Sequence, residues 1–369
     1  FLEAGVAYQQ PNLFENGSDD NLTIQIVRVD QLPGHNVAEL HQQVLQLPFP
    51  PELRPRIEFD GYQILREIHH SSRSHIYLAF DPENNKHVVL KVPSQELRKD
   101  AAYLESFLME EWVARRLNNA HLMKHCDLNR KRNYLYLVTE FIEGQTLHQW
   151  MIDNPRPSLD KVRDIIGQIA HGLYALHRQE MLHQDLRPNN IMIDQNGTLK
   201  IIDFGAVSVA GIAETLPKHK QQHLLGTAQY TAPEYFLGEA GSTGSDLFSL
   251  GVITYQMLSG RLPYGTHVAK AGSRAAQHKL VYQSLSDPKL SLPVWIDGVI
   301  RKAVHINPYK RYAEISEFVH NLSQPQSEFI RKQRPPLMER NPLIFWKTLS
   351  GILFLIVVFM LIYQHSLNH

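Results

Sequence analysis

Cysteine is almost missing from this sequence. Its 369 residues hold one, Cys126, so no disulfide can form within the chain, and a reducing compartment suits the folded part. A charge of one sign is missing too. Lys and Arg number 37, Asp and Glu 37, and no long basic block disturbs the balance, so nothing points to a nucleic-acid partner. The 20 histidines are scattered, and none has the H-E-x-x-H spacing of a metal-binding helix. No internal repeat is visible. No signal peptide precedes Phe1, and the chain reads as beginning partway through a longer protein. What is present is a 43% hydrophobic composition, enough for a sizeable core.

Organisation follows from punctuation and periodicity. A polar turn at Asn16–Asn21 precedes a β-branched alternation over Leu22–Val29, which predicts a strand. Residues 30–58 carry Pro33, Pro48, Pro50, Pro51 and Pro55. Val37–Leu47 predicts a short helix, and Leu47–Arg56 is too proline-rich for a regular element and reads as a linker. From Phe59 the pattern changes. Tyr62–Ile68, Ile76–Phe80, Val88–Val92 and Tyr134–Thr139 predict strands, and Ala101–Asn118 a helix. Helical patterns then dominate at Leu159–Arg178, Ser245–Ser259, Pro293–Val304 and Tyr312–Leu322. A strand-rich part before a larger helical part is an α+β, two-lobed layout.

Residues 324–342 are polar and basic, with Arg331, Lys332, Arg334 and Arg340. The apolar run 343–363 that follows would be roughly 30 Å long as a helix, about a bilayer's hydrocarbon thickness. Its charge, Lys347, lies near one end and can snorkel, and Trp346 and Tyr363 flank the most apolar part. A buried core helix is the alternative, but the run is apolar all round. With basic residues before it and none after, the expectation is a single span in the cytoplasmic membrane, lipid around residues 343–363, residues 1–342 in the cytoplasm and a short outer tail at 364–369.

The strongest chemical signal is His183-Gln184-Asp185-Leu186-Arg187-Pro188-Asn189-Asn190, followed by Asp203-Phe204-Gly205. Together they resemble the catalytic loop and metal motif of eukaryotic-type Ser/Thr protein kinases. The resemblance runs from about Phe59 to Leu322, and it implies a two-lobed protein kinase fold over 59–323 with ATP and Mg²⁺ (Mn²⁺ as alternative) between the lobes. It also implies the roles. Asp185 accepts the proton of the substrate hydroxyl, Asn190 and Asp203 hold Mg²⁺, and Arg187 neutralises charge on the transferring group. Substrates would be Ser or Thr side chains of proteins, the chain itself included.

Val88-Val89-Leu90-Lys91 is similar to the strand bearing the phosphate-positioning lysine. A lysine in an apolar run needs a partner. The family pattern selects Glu110, with Glu111 beside it as the alternative. Tyr134–Leu147 resembles the hinge between lobes, with Thr139 as gatekeeper and the backbone of Glu140 and Ile142 meeting adenine. Gly226-Thr227-Ala228-Gln229-Tyr230-Thr231-Ala232-Pro233-Glu234 resembles the substrate-binding end of an activation segment, which small-molecule kinases lack. Asp246 matches the family's brace for the catalytic loop, and Arg311 its partner for Glu234.

Three departures stand out. Glycine is missing where a G-x-G-x-x-G loop is expected: His69, Ser71 and Ser74 replace all three, between Ile68 and Ile76. Glycines let backbone approach phosphates closely, so a stiffer loop and weaker ATP binding are expected. Gln184 stands where an arginine usually binds an activation-loop phosphate, which implies activity independent of phosphorylation at Ser208 or Thr215. Arg187 replaces the usual lysine. These departures keep open a pseudokinase scaffold that binds nucleotide without turnover. They also resemble a bacterial subgroup that fuses a type-2C phosphatase, a Ser/Thr kinase and a C-terminal membrane helix. Within that resemblance residues 1–29 are the end of the phosphatase domain, and Asp20, in Gly17-Ser18-Asp19-Asp20-Asn21-Leu22-Thr23, is one ligand of its divalent metal. One carboxylate cannot hold a dinuclear site, so no phosphatase activity is expected from this chain.

Overall fold

The computed structural model describes residues 47–126, 130–209, 228–285, 292–324 and 342–367. The expected strand at 22–29, Asp20, the expected helix over 37–47 up to its last residue, Thr215, Gly226, Thr227 and most of the basic stretch lie outside the described residues.

Five strands form an antiparallel sheet in chain order: β1 (Glu58–Phe59), β2 (Tyr62–His70), β3 (Ser74–Asp81), β4 (Lys86–Pro93) and β5 (Leu137–Glu140). Asp60 and Gly61 join β1 to β2 with φ of 46° and 79°, the two-residue loop with both φ positive that suits the strands' right-handed twist. Alternation sets the faces of β4. Val88, Leu90 and Val92 are buried with Ile64, Ala79 and Tyr136 in the small-lobe core, and Lys91 faces the other way.

Several strands differ from expectation in their bounds. The β2–β3 hairpin extends further into the loop, leaving Ser71–Arg73 as the turn. β5 begins three residues late, because Leu135 N donates to Pro48 O at 3.0 Å and the segment before β5 is held by the proline-rich stretch instead of by β4. That stretch is irregular, as its prolines dictate. It is also anchored: Leu53 is buried in the small-lobe core, and Leu47 and Phe49 pack on Tyr103, Leu104 and Phe107.

Helix α1 (Ala101–Arg116) starts where the Asp100 carboxylate accepts from Tyr103 N, and it ends before Asn118 because Leu117 is extended. In the large lobe, α2 (Leu147–Asp153) precedes α3 (Leu159–His177). Ser158 caps α3, and Val162, Ile165, Ile166, Ile169, Leu173 and Leu176 recur at helical spacing and are fully buried. Strand β7 (Met181–Leu182) pairs with β10 (Ser208–Val209), and β8 (Ile191–Asp194) pairs with β6 (Gly144–Thr146) on one side and β9 (Leu199–Ile201) on the other.

Helix α4 (Thr243–Ser259) opens on a Ser242–Ser245 capping box, is buried from Ser245 to Tyr255, and stops at Gly260, φ 68°. The short α5 (Arg274–Gln277), α6 (Trp295–Ala303) and α7 (Ile315–Ser323) complete the lobe. Helix α8 (Pro342–Leu367) contains Leu343–Met360, with mean hydropathy 2.3 and none of that window buried, long and apolar enough to cross a membrane.

Candidate active site

The cleft side of β4 presents Lys91. Its Nζ donates to both Glu110 oxygens, at 2.8 and 2.7 Å, and lies 3.2 Å from Asp203 Oδ1. Glu111, one residue on, points elsewhere and accepts from Arg115 and Arg132 at 2.7 and 2.9 Å. Successive residues of a helix are about 100° apart, so the two carboxylates cannot share a partner.

The electrostatics of this trio are uneven. Burial alone would lower the pKa of Lys91, but the two carboxylates outweigh it and raise it. Burial pushes Glu110 up to about 7 against the pull of Lys91, with Asp203 adding repulsion. Burial also opposes ionisation of Asp203, yet the Lys91 ammonium and the Gly205 N–H, 3.2 Å away, hold it at about 2. One ammonium faces two carboxylates, so the site has room for a further positive charge. Gly205 permits this closeness: a Cβ there would stand 3.3 Å from Asp203 Oδ1 and 3.4 Å from Glu110 Oε2.

Residues 183–190, expected to form the catalytic loop, lie between β7 and β8. Asp246 reaches them from α4, accepting from His183 N and Gln184 N at 2.9 Å each and pairing with His177 Nε2 at 2.8 Å. These bonds hold Gln184 at φ 65°, and Asp203 likewise sits at φ 69°. Non-glycine residues at such angles cost on the order of 1–3 kcal/mol and persist only when their surroundings fix them. Asn190 Nδ2 donates to the Asp185 carbonyl at 2.9 Å and to its Oδ2 at 3.0 Å. Both its hydrogens are thereby used, and its Oδ1 is oriented as an acceptor. Arg187 Nε is buried, lacks a hydrogen-bond partner among the described residues, and lies 3.7 Å from Asp185 Oδ2. Burial raises Asp185, while Arg187 and His183 oppose the rise.

Carboxylate and amide oxygens on Asp203 and Asn190, beside surplus negative charge, are a donor set suited to a hard divalent cation. Mg²⁺ therefore fits the residues present.

The segment expected to form the hinge is positioned by β5. Thr139 is buried, and the Glu140 carboxylate is engaged by Lys124 N at 2.8 Å and Lys200 Nζ at 2.6 Å, so a ligand there would meet backbone. The β2–β3 turn uses its polar groups internally. Ser71 N donates to Ser74 O at 3.1 Å, and Ser71 Oγ accepts from Arg73 N and Ser74 N at 3.3 and 3.1 Å. Arg73 O accepts from Ser94 N at 2.8 Å and from the Tyr103 hydroxyl. Ile68 and His69 precede this turn on β2, and Ile76 follows on β3 opposite His69 and Lys91.

In the large lobe, Arg311 donates to both Glu234 oxygens at 2.7 Å in full burial, and Ser245 Oγ adds a third bond at 2.6 Å. Three participants escaped the sequence reading: His177 on Asp246, the Ser106 hydroxyl on Gly205 O, and Tyr103 on the loop. Each touches a residue far away along the chain, and no local pattern marks it.

Comparison with known proteins places these features in a family. The protein kinase domain model matches residues 62–324. The serine/threonine-protein kinase PknA of Corynebacterium glutamicum is 33% identical over 265 residues, 69% of this chain and 54% of that protein. PrkC of Bacillus subtilis, a serine/threonine-protein kinase, is 28% identical over 260 residues, 68% of this chain and 38% of that one. The chain thus spans about half, or less, of these relatives' length. The PknI kinase domain of Mycobacterium tuberculosis superposes with a TM-score of 0.54 at 23% identity, covering 74% of this chain and 99% of that one, a likeness of fold.

Proposed function

The chain belongs to the protein kinase family, and on that premise we propose that it transfers the γ-phosphoryl group of Mg-ATP to Ser or Thr hydroxyls of proteins, itself included. The observation that carries the reading is the convergence of Lys91, Glu110, Asp185, Asn190 and Asp203 in one partly buried site. A bound Mg²⁺ ion would supply positive charge that offsets that of the nucleotide phosphates. Asp203 and the Asn190 Oδ1 would hold it. Lys91, fixed by Glu110, would position the α- and β-phosphates. Asp185 would orient the acceptor hydroxyl and take its proton, and the Arg187 guanidinium would counter charge on the moving group. Adenine would meet the backbone of Glu140 and Ile142, with Ile68, His69, Ser71, Ser74 and Ile76 above the phosphates. Positioning and charge supply most of the catalysis in this chemistry.

The apolar α8, with Lys347 near its start, supports tethering to the cytoplasmic membrane with the kinase domain in the cytoplasm. The Gly17–Thr23 motif supports a parent that also carries a type-2C phosphatase.

Labelled ATP and a generic basic protein, with Mg²⁺ present, test the reading on the full chain in detergent. The expected product carries phosphate on Ser or Thr, and Lys91→Met abolishes it. Nucleotide binding without transfer would establish the scaffold reading, and transfer to small alcohols alone would establish a small-molecule kinase.

A further inference from the structure

The β2–β3 hairpin, where His69, Ser71 and Ser74 stand in place of glycines, also carries a cluster that the phosphotransfer site does not use. We infer that Glu67, His70 and His75 form a binding site for a divalent transition cation of the zinc class, built into the β2–β3 hairpin. The site itself does not depend on the kinase reading.

The hairpin's register makes the cluster. His70 and His75 are direct cross-strand partners next to the turn, and their rings meet edge to face at 4.3 Å between centroids. Glu67 lies three residues before His70 on the same strand, which in a regular strand would put it on the opposite face. The β2–β3 pairing slips between Glu67 and His69, and this bulge turns Glu67 to the histidines' side. His75 is further oriented by stacking on Tyr77, with ring planes 10° apart.

Three ligand atoms converge. His70 Nδ1 and His75 Nδ1 are 2.9 Å apart, and Glu67 Oε1 is 3.3 Å from the first and 3.0 Å from the second. Protons alone satisfy this triangle poorly. If both Nδ1 atoms carry hydrogen to the carboxylate, the two N–H groups oppose each other. If one is bare, it competes with the carboxylate for its neighbour's hydrogen. A single cation satisfies all three. The atoms lie on a circle of radius roughly 1.8 Å, so a zinc ion at the ordinary ~2.0–2.2 Å from nitrogen and oxygen sits just above their plane.

Two imidazoles and a carboxylate suit zinc, copper or nickel over magnesium or calcium. The cluster is open to solvent on the outer side, with side-chain exposures of 40%, 66% and 27% for Glu67, His70 and His75. Water can therefore fill a fourth position. Occupancy would clip both strands together across the Ser71–Arg73 turn.

The test is calorimetric titration of the metal-free full chain in detergent with Zn²⁺, alongside thermal melting. The variants are Glu67→Gln, His70→Gln/His75→Gln, and His87→Gln as a histidine of the same lobe outside the cluster. Wild type and His87→Gln are expected to bind one equivalent that the double variant lacks. Glu67→Gln should weaken that equivalent at least tenfold. Zn²⁺ should raise the melting temperature of wild type and leave that of the double variant unmoved. Zn²⁺-induced shifts of the His70 and His75 ring resonances in the unaltered protein ask the same question without substitution. Identical titrations for wild type and double variant, or unshifted rings, would overturn the proposal. A chain without phosphotransfer would leave these readouts intact, so the two readings fail separately.

Discussion

Asp185 is under two opposing demands. On the phosphotransfer reading it must be ionised to accept a proton, yet burial raises its pKa, and Arg187, His183 and the Asn190 hydrogen bond oppose the rise. A base with a raised pKa loses activity at a higher pH than an ordinary carboxylate, whose value is about 3.9. The acid limb of the kcat profile therefore lies above that range. Removing the nearby cation sharpens the point. Arg187→Gln takes away the larger of the two charges that lower Asp185, leaving His183 and the Asn190 hydrogen bond, so the limb moves upward in pH as well as falling in height. A limb that stays in place or moves down would show that Asp185 is not the titrating group. The pair at Glu110 and Glu111 illustrates what a sequence alone leaves open at this scale. Adjacent glutamates on one helix are chemically alike, and only the direction of each side chain separates a partner of Lys91 from a partner of Arg115 and Arg132.

Among elements, the β2–β3 hairpin departs furthest from the family pattern. Its turn is held by Ser71, whose hydroxyl accepts from Arg73 N and Ser74 N, two amides within the segment that would cover the phosphates on the kinase reading. Ser71→Ala releases both amides. If they then bind phosphate, the KM for ATP falls several-fold, a gain of roughly 1 kcal/mol for one net hydrogen bond. A KM that rises would mean that the Ser71 hydroxyl itself contacts nucleotide.

Most elements were legible from periodicity, because β4 alternates and α3 repeats its apolar residues every three or four positions. The exceptions have physical causes. The strand expected from Tyr134 starts at Leu137 because Pro48 takes the Leu135 amide, and a proline-rich stretch gives no local sign of where it will dock. The Glu67–His70–His75 cluster was illegible because it depends on a bulge, and the His69–His75 stretch read only as a loop lacking glycine. The residues of the motifs were legible, but His177 and Ser106 were not, since their partners lie 69 and 99 positions away.

At the scale of the whole molecule, two buried carboxylates tie α4 to the rest of the large lobe: Asp246 of α4 accepts from His183 N and Gln184 N, and Glu234 accepts from Ser245 of α4 and from Arg311. Burial alone would raise Glu234, but the hydrogen bonds and charge of Arg311 outweigh it and hold the pKa below the ordinary value. Glu234→Gln strands a guanidinium whose side chain is 0% exposed, at a cost of about 3–5 kcal/mol in urea or thermal unfolding at neutral pH. The sign of the pH dependence follows from linkage. A lowered folded pKa gives stability that is complete above the unfolded value, near 4.5, and is lost as pH falls through the folded value. The gap between wild type and variant should therefore narrow in acid. A gap independent of pH would mean that lost packing, not lost charge, sets the cost.

Pairing of this kind organises the fold around the catalytic loop, and its purpose on the present reading is phosphoryl transfer. The most direct test is single-turnover transfer from saturating γ-labelled Mg-ATP to protein Ser or Thr, comparing the full chain with Asp185→Asn while nucleotide affinity is measured on both. The account predicts a chemical step slowed by at least ~10²-fold, the usual contribution of a positioned base, with nucleotide affinity retained. Equal rates in the two proteins, or nucleotide bound by wild type with no transfer at all, would contradict it.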